Sequence, residues 1–186
     1  LIMDIKEARK NVIEQQIRPW GGLNVRANQA LSDIPRENFV PEEYQKLVFA
    51  DIEIPLNETD KMFSPKIEGR ILDSLNLKGN ENILEIGTGS GYLTSVLAKL
   101  SNSVTSIEIE HSLYVKAKEN IGKLKITNAT LINDTFNSSN FKERQFDTII
   151  IGSALPNIED DLKKLLKVGG KLFVVLGSKN QMHATL

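Results

Sequence analysis

The sequence predicts a doubly wound α/β domain on a mostly parallel sheet, preceded by a helical N-terminal extension. Three observations predict it. From Pro65 onward, strand-like and helix-like segments alternate. The strand-like segments, such as "NILEI", "FDTIIIG" and "KLFVVLG", are almost uniformly apolar, as strands covered on both faces must be. A glycine-rich turn, "LEIGTGSGY", joins the first of them to a helix, at the edge where open α/β sheets hold ligands.

Each element has its own signal. Asp4 is placed to cap a first helix reaching Ile17, with Val12, Ile13 and Ile17 on one stripe. "RPWGG" ends it, because Pro19 disfavours helix at Arg18. A second helix is expected over Val25 to Ser32 and a short third near Glu42 to Lys46. "ADIEIPLNETD" reads as irregular or as a short edge strand, since Pro55 resists a central one. The helix "PKIEGRILDSL" then leads into "NILEI", the glycine turn and the helix "YLTSVLAKL". "VTSIEI", the helix "SLYVKAKENIGKL", "ATLIN" and "FDTIIIG" follow, then the helix "IEDDLKKLLK" and "KLFVVLG". Gly169 and Gly170 are assigned to the chain reversal before that last strand. The expected organisation is one domain over 1–186, with an extension over 1–64 and an α/β core over 65–186.

Composition narrows the function. With 40% hydrophobic and 25% charged residues the chain is an ordinary globular one. A formal net charge of −1 predicts no broad basic face for nucleic acid or anionic membrane. The absence of cysteine removes disulfides, thiolate catalysis and cysteine metal sites, and suits a cytoplasmic location. His111 and His183 lie far apart, so no metal centre is expected, and no apolar run approaches membrane-spanning length.

Candidate ligand residues fall at the strand ends. Gly87, Gly89 and Gly91 permit close approach to a ligand, and the following helix aims its first N–H groups at it. Tyr92 stands where the dinucleotide fingerprint has its third glycine. Glu85 with Gly87, Thr88, Gly89 and Gly91 instead resembles the first motif of S-adenosylmethionine-dependent methyltransferases, where the acid can hold the ammonium of the methionine moiety. Glu108, ending the second strand, can accept both ribose hydroxyls and would repel a ribose phosphate, which argues against NADP; Glu110 is the second candidate. Asn133 and Asp134 end the third strand, with Asp134 the better acceptor for an adenine amino group and an Asn-Asp turn the plain alternative. Asp147, at the start of the fourth strand, reads as structural. Gly152, Ser153 and Ala154, at its end, can line the cofactor floor or substrate mouth.

The match extends beyond the motif. "NVIEQQIRPW", "IPRENFVPEEY", "ADIEIPL", "KMFSPKIEGRIL", "ILEIGTGSGYLTSVLA", "SIEIE", "FDTIIIGSAL" and "LLKVGGKLFVVLG" resemble the protein-L-isoaspartate O-methyltransferase family over nearly the whole chain. "MHATL" looks like the opening of that family's sixth strand, beyond which members continue to an antiparallel final strand, so C-terminal strands are expected to be missing. The resemblance implies a Rossmann-like class I methyltransferase fold with S-adenosylmethionine as cofactor. It also implies isoaspartyl-containing proteins or peptides as substrate, methylated on the free α-carboxylate for repair. A carboxylate is already ionised at neutral pH, so no general base is needed and the enzyme mainly positions two reactants.

One stretch departs from the family. Its pattern I-S-x-P has the serine at the reaction centre, and anchored on Pro65 that position is Phe63, with Ser64 on the variable position. Ser64 is therefore read as the N-cap of the helix opened by Pro65, with substrate contact as its second reading. Phe63 would wall a more apolar acceptor pocket. Trp20 reads as a packing anchor, Asp51 as a family loop acid or a surface turn, and Lys66 and Arg70 as solvated helix positions or attractors of an acceptor carboxylate. Two alternatives stay open: a small-molecule acceptor, and a catalytically silent cofactor-binding homologue.

Overall fold

The computed structural model describes residues 5–17, 24–143, 145–152, 159–178 and 181–185. Asp4, Trp20, Ser153 and Ala154 lie outside them. Helix α1 (Ile5–Asn11) continues into a π-helical turn, Val12–Ile17, and α2 covers Val25–Asp33. Val12, Ile13 and Ile17 are all buried, as their spacing predicts. Asn24 caps α2, its side chain accepting from the Ala27 N–H at 2.8 Å. Two 3-10 turns, Arg36–Asn38 and Glu42–Leu47, precede a small antiparallel hairpin of β1 (Ile54–Pro55) and β2 (Lys61–Met62). Pro55 is tolerated there because the ribbon is two-stranded.

Helix α3 (Pro65–Leu75) enters the α/β core, followed by β3 (Asn82–Ile86), α4 (Tyr92–Leu100), β4 (Ser103–Glu108), α5 (His111–Lys123) and β5 (Ala129–Asn133). Then come β6 (Phe146–Ile151), α6 (Glu159–Leu165), β7 (Leu166–Ser178) and β8 (Gln181–Thr185). The sheet order is β5-β4-β3-β6-β7-β8, parallel throughout except β8, which pairs antiparallel with β7. The chain reverses direction across the sheet at β3 and β6, so their C-terminal ends form the crevice expected of doubly wound sheets.

Alternate residues of the central strands feed two cores. Ile83 and Ile150 face α3, α4 and the N-terminal segments, whereas Leu84, Ile86, Ile149 and Ile151 join Phe146, Leu162 and Leu165 on the other face. Each fully buried aliphatic side chain stabilises by roughly 1.5–3 kcal/mol, which is why continuous apolar runs end in the centre of the sheet. No helix among the described residues is long and apolar enough to cross a membrane.

The last strand departs from expectation. β7 starts directly after α6, so Leu166 and Lys167 are strand rather than helix, and Gly169 and Gly170 lie inside the strand rather than in a reversal before it. Between Phe146↔Leu166 and Thr148↔Lys171 the register shifts, and Gly169 at φ 80° supplies the left-handed step of that irregularity. Asp147 is structural, as expected. Partial burial raises its carboxyl, but the Asn82 N–H and the Lys167 ammonium, each at 2.8 Å, outweigh that and hold it below its ordinary value.

Candidate active site

A cavity of about 640 Å³ opens at the C-terminal ends of β3, β4 and β6, a volume suited to a cofactor-sized ligand. Its floor is the turn after β3. Gly87 and Gly89 line it with φ of 97° and 56°, values that a side chain would strain. A Cβ on Gly89 would sit 3.2 Å from Leu56 Cδ1, so the β1–β2 hairpin reaches over the turn. Thr88 lines the cavity too, but its hydroxyl pairs with Ser106 Oγ at 2.6 Å and so braces the turn. Gly91 does not line the cavity. At φ 82° it caps α4, and a Cβ there would meet Ala117 Cβ at 3.1 Å and Ile121 Cδ1 at 3.2 Å. This glycine lets α4 and α5 approach, so its place in the turn is set by the helix pair.

The predicted acids separate cleanly. Glu85 is buried in the cavity wall and accepts hydrogen bonds from Thr94 Oγ1 and, at 2.7 Å, from Ser106 Oγ. Burial pushes its carboxyl up to about 7, against those two hydrogen bonds, and the neighbouring Glu108 charge adds to the rise. Glu108 also lines the cavity. Its Oε2 accepts the Gly89 N–H at 2.8 Å and its Oε1 the Glu110 N–H at 3.0 Å, which locks the carboxylate while each oxygen keeps a lone pair. Glu110 points elsewhere and caps α5 through Ser112. Between the two candidates, only Glu108 reaches the cavity. Asp134 lines it as well, while Asn133 is turned to His111 and to the Glu108 carbonyl. Ile109, 69% exposed, and the half-buried Phe136 add an apolar rim beside these acids.

The opposite end is bounded by Phe63 and Gly152. The Phe63 ring lies 3.3 Å from where a Gly152 Cβ would stand, so a side chain there would press on the ring. Ser64 occupies the N-cap position of α3, but its side chain makes no capping hydrogen bond. It stands beside Asp51, whose carboxyl it helps to lower, and Ser64 does not line the cavity. Asp51 does the capping: Oδ1 accepts the Lys66 N–H at 3.1 Å and Oδ2 pairs with Lys66 Nζ at 2.8 Å. Burial raises the Asp51 carboxyl, yet these contacts with Lys66 and Ser64 leave it below its ordinary value. Arg70 is exposed on α3 and does not line the cavity.

Residues 7–186 match the family described as protein-L-isoaspartate(D-aspartate) O-methyltransferase. A protein-L-isoaspartate O-methyltransferase of Aliivibrio salmonicida is 37% identical over 94% of this chain and 84% of its own length. One of Syntrophus aciditrophicus is 35% identical over 94% of this chain and 80% of its own. The chain belongs to this family. It is an S-adenosylmethionine-dependent O-methyltransferase. Among solved structures, one described as such an enzyme from Plasmodium falciparum, in complex with S-adenosyl-L-homocysteine, superimposes with a TM-score of 0.77. It is 22% identical and covers 96% of this chain and 87% of that one, so it supports the fold.

Set beside the I-S-x-P pattern, this methyltransferase has a phenyl ring where a hydroxyl is expected. It also has a buried ion pair that sequence reasoning missed. Arg36 Nη1 contacts Glu68 Oε2, Nη2 donates to the Phe63 carbonyl at 2.7 Å, and Nε donates to the Val48 carbonyl at 3.2 Å. The guanidinium lies over the Tyr92 ring, 5.2 Å from its centroid. Burial raises the Glu68 carboxyl and Arg36 opposes the rise. The available signal was a charged residue on the apolar face of α3, where Glu68 follows Pro65 by one turn beside Ile71 and Leu72.

Proposed function

We propose that this methyltransferase acts on the free α-carboxylate of L-isoaspartyl residues in proteins or peptides, a repair reaction in the cytoplasm. The observation that carries the reading is the meeting of Glu85, Gly87, Gly89, Glu108 and Asp134 around one cavity whose other end is Phe63, in a chain of this family. These residues fit the cofactor. Glu108, already oriented by two N–H groups, takes the ribose hydroxyls, and Asp134 the adenine amino group. Ile109 and Phe136 cover the base. Glu85 takes the ammonium of the methionine moiety. Gly87 and Gly89 leave backbone where side chains would collide with it. The reading keeps the sequence boundaries: a helical extension over 1–64 serving one methyltransferase domain.

When bound, S-adenosylmethionine supplies an electrophilic methyl group on a sulfonium. The chain contributes positioning and exclusion of water. Phe63, Met62 and Leu56 wall the cavity with apolar surface, and the hairpin holds Leu56 over the glycine turn. No side chain has to remove a proton, because the acceptor carboxylate is ionised at neutral pH. The test is transfer of a labelled methyl group to an isoaspartyl peptide and to its normal aspartyl twin. Selective, base-labile labelling of the isoaspartyl peptide is expected. Labelling of neither, with S-adenosylhomocysteine still bound, refutes this acceptor.

A further inference from the structure

We propose that Glu68 and Tyr92 are the polar pair that selects the acceptor, Glu68 taking the amide N–H borne by the carbon that carries the methylated carboxylate, and Tyr92 donating to that carboxylate. This inference rests on the isoaspartyl reading and deepens it. With Glu108, Asp134 and Glu85 assigned to the cofactor, the cavity end left for the acceptor, around Phe63, includes Asp60, Lys61, Met62, Glu68, Tyr92 and Gly152 in its lining. Phe63 has no hydroxyl to offer there, and Ser64 does not line the cavity. Glu68 and Tyr92 are the buried polar side chains of that end among the described residues, at 2% and 4% exposure.

Both have capacity to spare. Arg36 contacts Glu68 Oε2, and it is the side-chain hydrogen-bond partner of that carboxylate among the described residues. Burial and the charges of Glu68 and Arg36, rather than a hydrogen bond, set the environment of the Tyr92 hydroxyl. Their rings and stems are nonetheless held firmly: Phe39 packs edge-on against Tyr92 at 5.4 Å, and Arg36 lies over its face. A fixed acceptor beside a fixed donor, both in a cavity wall, suits a ligand presenting the reverse pair. An isoaspartyl residue carries its free carboxylate and its amide N–H on one carbon. A normal aspartyl residue has a methylene between the N–H-bearing carbon and its free carboxylate, so it cannot serve both groups in the same geometry. The pair thus distinguishes damaged from intact residues without the family's serine.

The experiment compares an isoaspartyl peptide with its depsipeptide, in which that amide nitrogen is an ester oxygen and the donor is lost without added bulk. The natural chain is expected to show a kcat/KM at least tenfold lower on the depsipeptide, mainly through KM. Glu68→Leu is expected to bring the two peptides level, and Tyr92→Phe to lower both by the same factor. Equal turnover of the two peptides by the natural chain overturns the proposal and leaves the isoaspartyl reading standing. Discrimination that persists in Glu68→Leu overturns it too. If Glu68→Leu does not fold, because Arg36 is stranded, the natural chain's peptide comparison and Tyr92→Phe decide. Methylation of neither peptide removes both readings.

Discussion

Replacing Gly91 by alanine separates a packing glycine from a binding one. Position 91 has φ 82°, and a left-handed residue with a Cβ costs about 1–2 kcal/mol. The new methyl would also lie 3.1 Å from Ala117 Cβ, 3.2 Å from Ile121 Cδ1 and 3.3 Å from Ala117 Cα, all tighter than ordinary contact. Two of those atoms belong to the α5 backbone or are fixed to it, so α4 and α5 must part. Overpacking of this kind costs roughly 1–3 kcal/mol. The sum, about 2–5 kcal/mol, corresponds to a fall in Tm of roughly 4–20 °C for a domain of this size. Thermal unfolding measures it, and calorimetric titration with S-adenosylhomocysteine at a temperature where the variant is folded measures binding. Affinity is expected to stay within about threefold, because the pair of helices rather than the cavity floor absorbs the change. Unchanged Tm with lost binding would refute this placement of Gly91 and return it to the ligand.

Other expectations follow from the same geometry. Gly89→Val should abolish cofactor binding, since its side chain enters the cavity under Leu56; unchanged calorimetric affinity would contradict that. Glu108→Gln should weaken S-adenosylhomocysteine at least tenfold, because an amide NH₂ must face a backbone N–H that now points at a carboxylate, whereas Glu110→Gln should change affinity less than about threefold. Glu85, with its carboxyl raised to about 7 by burial, holds a proton in the folded chain where the unfolded chain has lost it. Its contribution to stability is therefore complete below about pH 4.5 and is lost as pH rises through about 7, a loss that Glu85→Gln should remove from urea unfolding curves. Cofactor affinity should run the other way, rising from pH 6 to pH 8 as Glu85 ionises to meet the ammonium. Phe63→Ser should raise kcat/KM on isoaspartyl peptide several-fold, since the new hydroxyl would face the cavity; no gain would mean that Glu68 and Tyr92 already do its work.

How much of this was legible depends on the range of each signal. Strands β3 and β6 were legible because apolar residues on both faces admit one kind of environment. The acids at the strand ends followed from topology, which puts every β-strand C-terminus of the parallel sheet on one side. Gly91 was not separable from Gly87 and Gly89, because alternating glycines look alike until α5 is known to cross behind the third. Ser64 shows the opposite error. Serine before proline marked the start of α3 correctly, yet the carboxylate that satisfies the helix N–H comes from Asp51, through tertiary contact. Arg36 and Glu68 are 32 positions apart, and nothing local announces that two charged residues will be buried together. The expected reversal at Gly169 failed because a glycine with positive φ serves a strand irregularity as readily as a turn.

The Arg36 clamp has a consequence for how such enzymes diversify. One guanidinium from the segment before the α/β core supports the backbone of Phe63 and the carboxylate of Glu68, and it touches none of the residues assigned to the cofactor. The clamp thus ties Phe63, Glu68 and the Tyr92 ring to one side chain, while the β1–β2 hairpin in the same span reaches the glycine turn through Leu56. Exchanging residues 36–68 between relatives would move Phe63, Glu68 and their clamp together, along with the Leu56 contact on the glycine turn, and would leave Tyr92 behind.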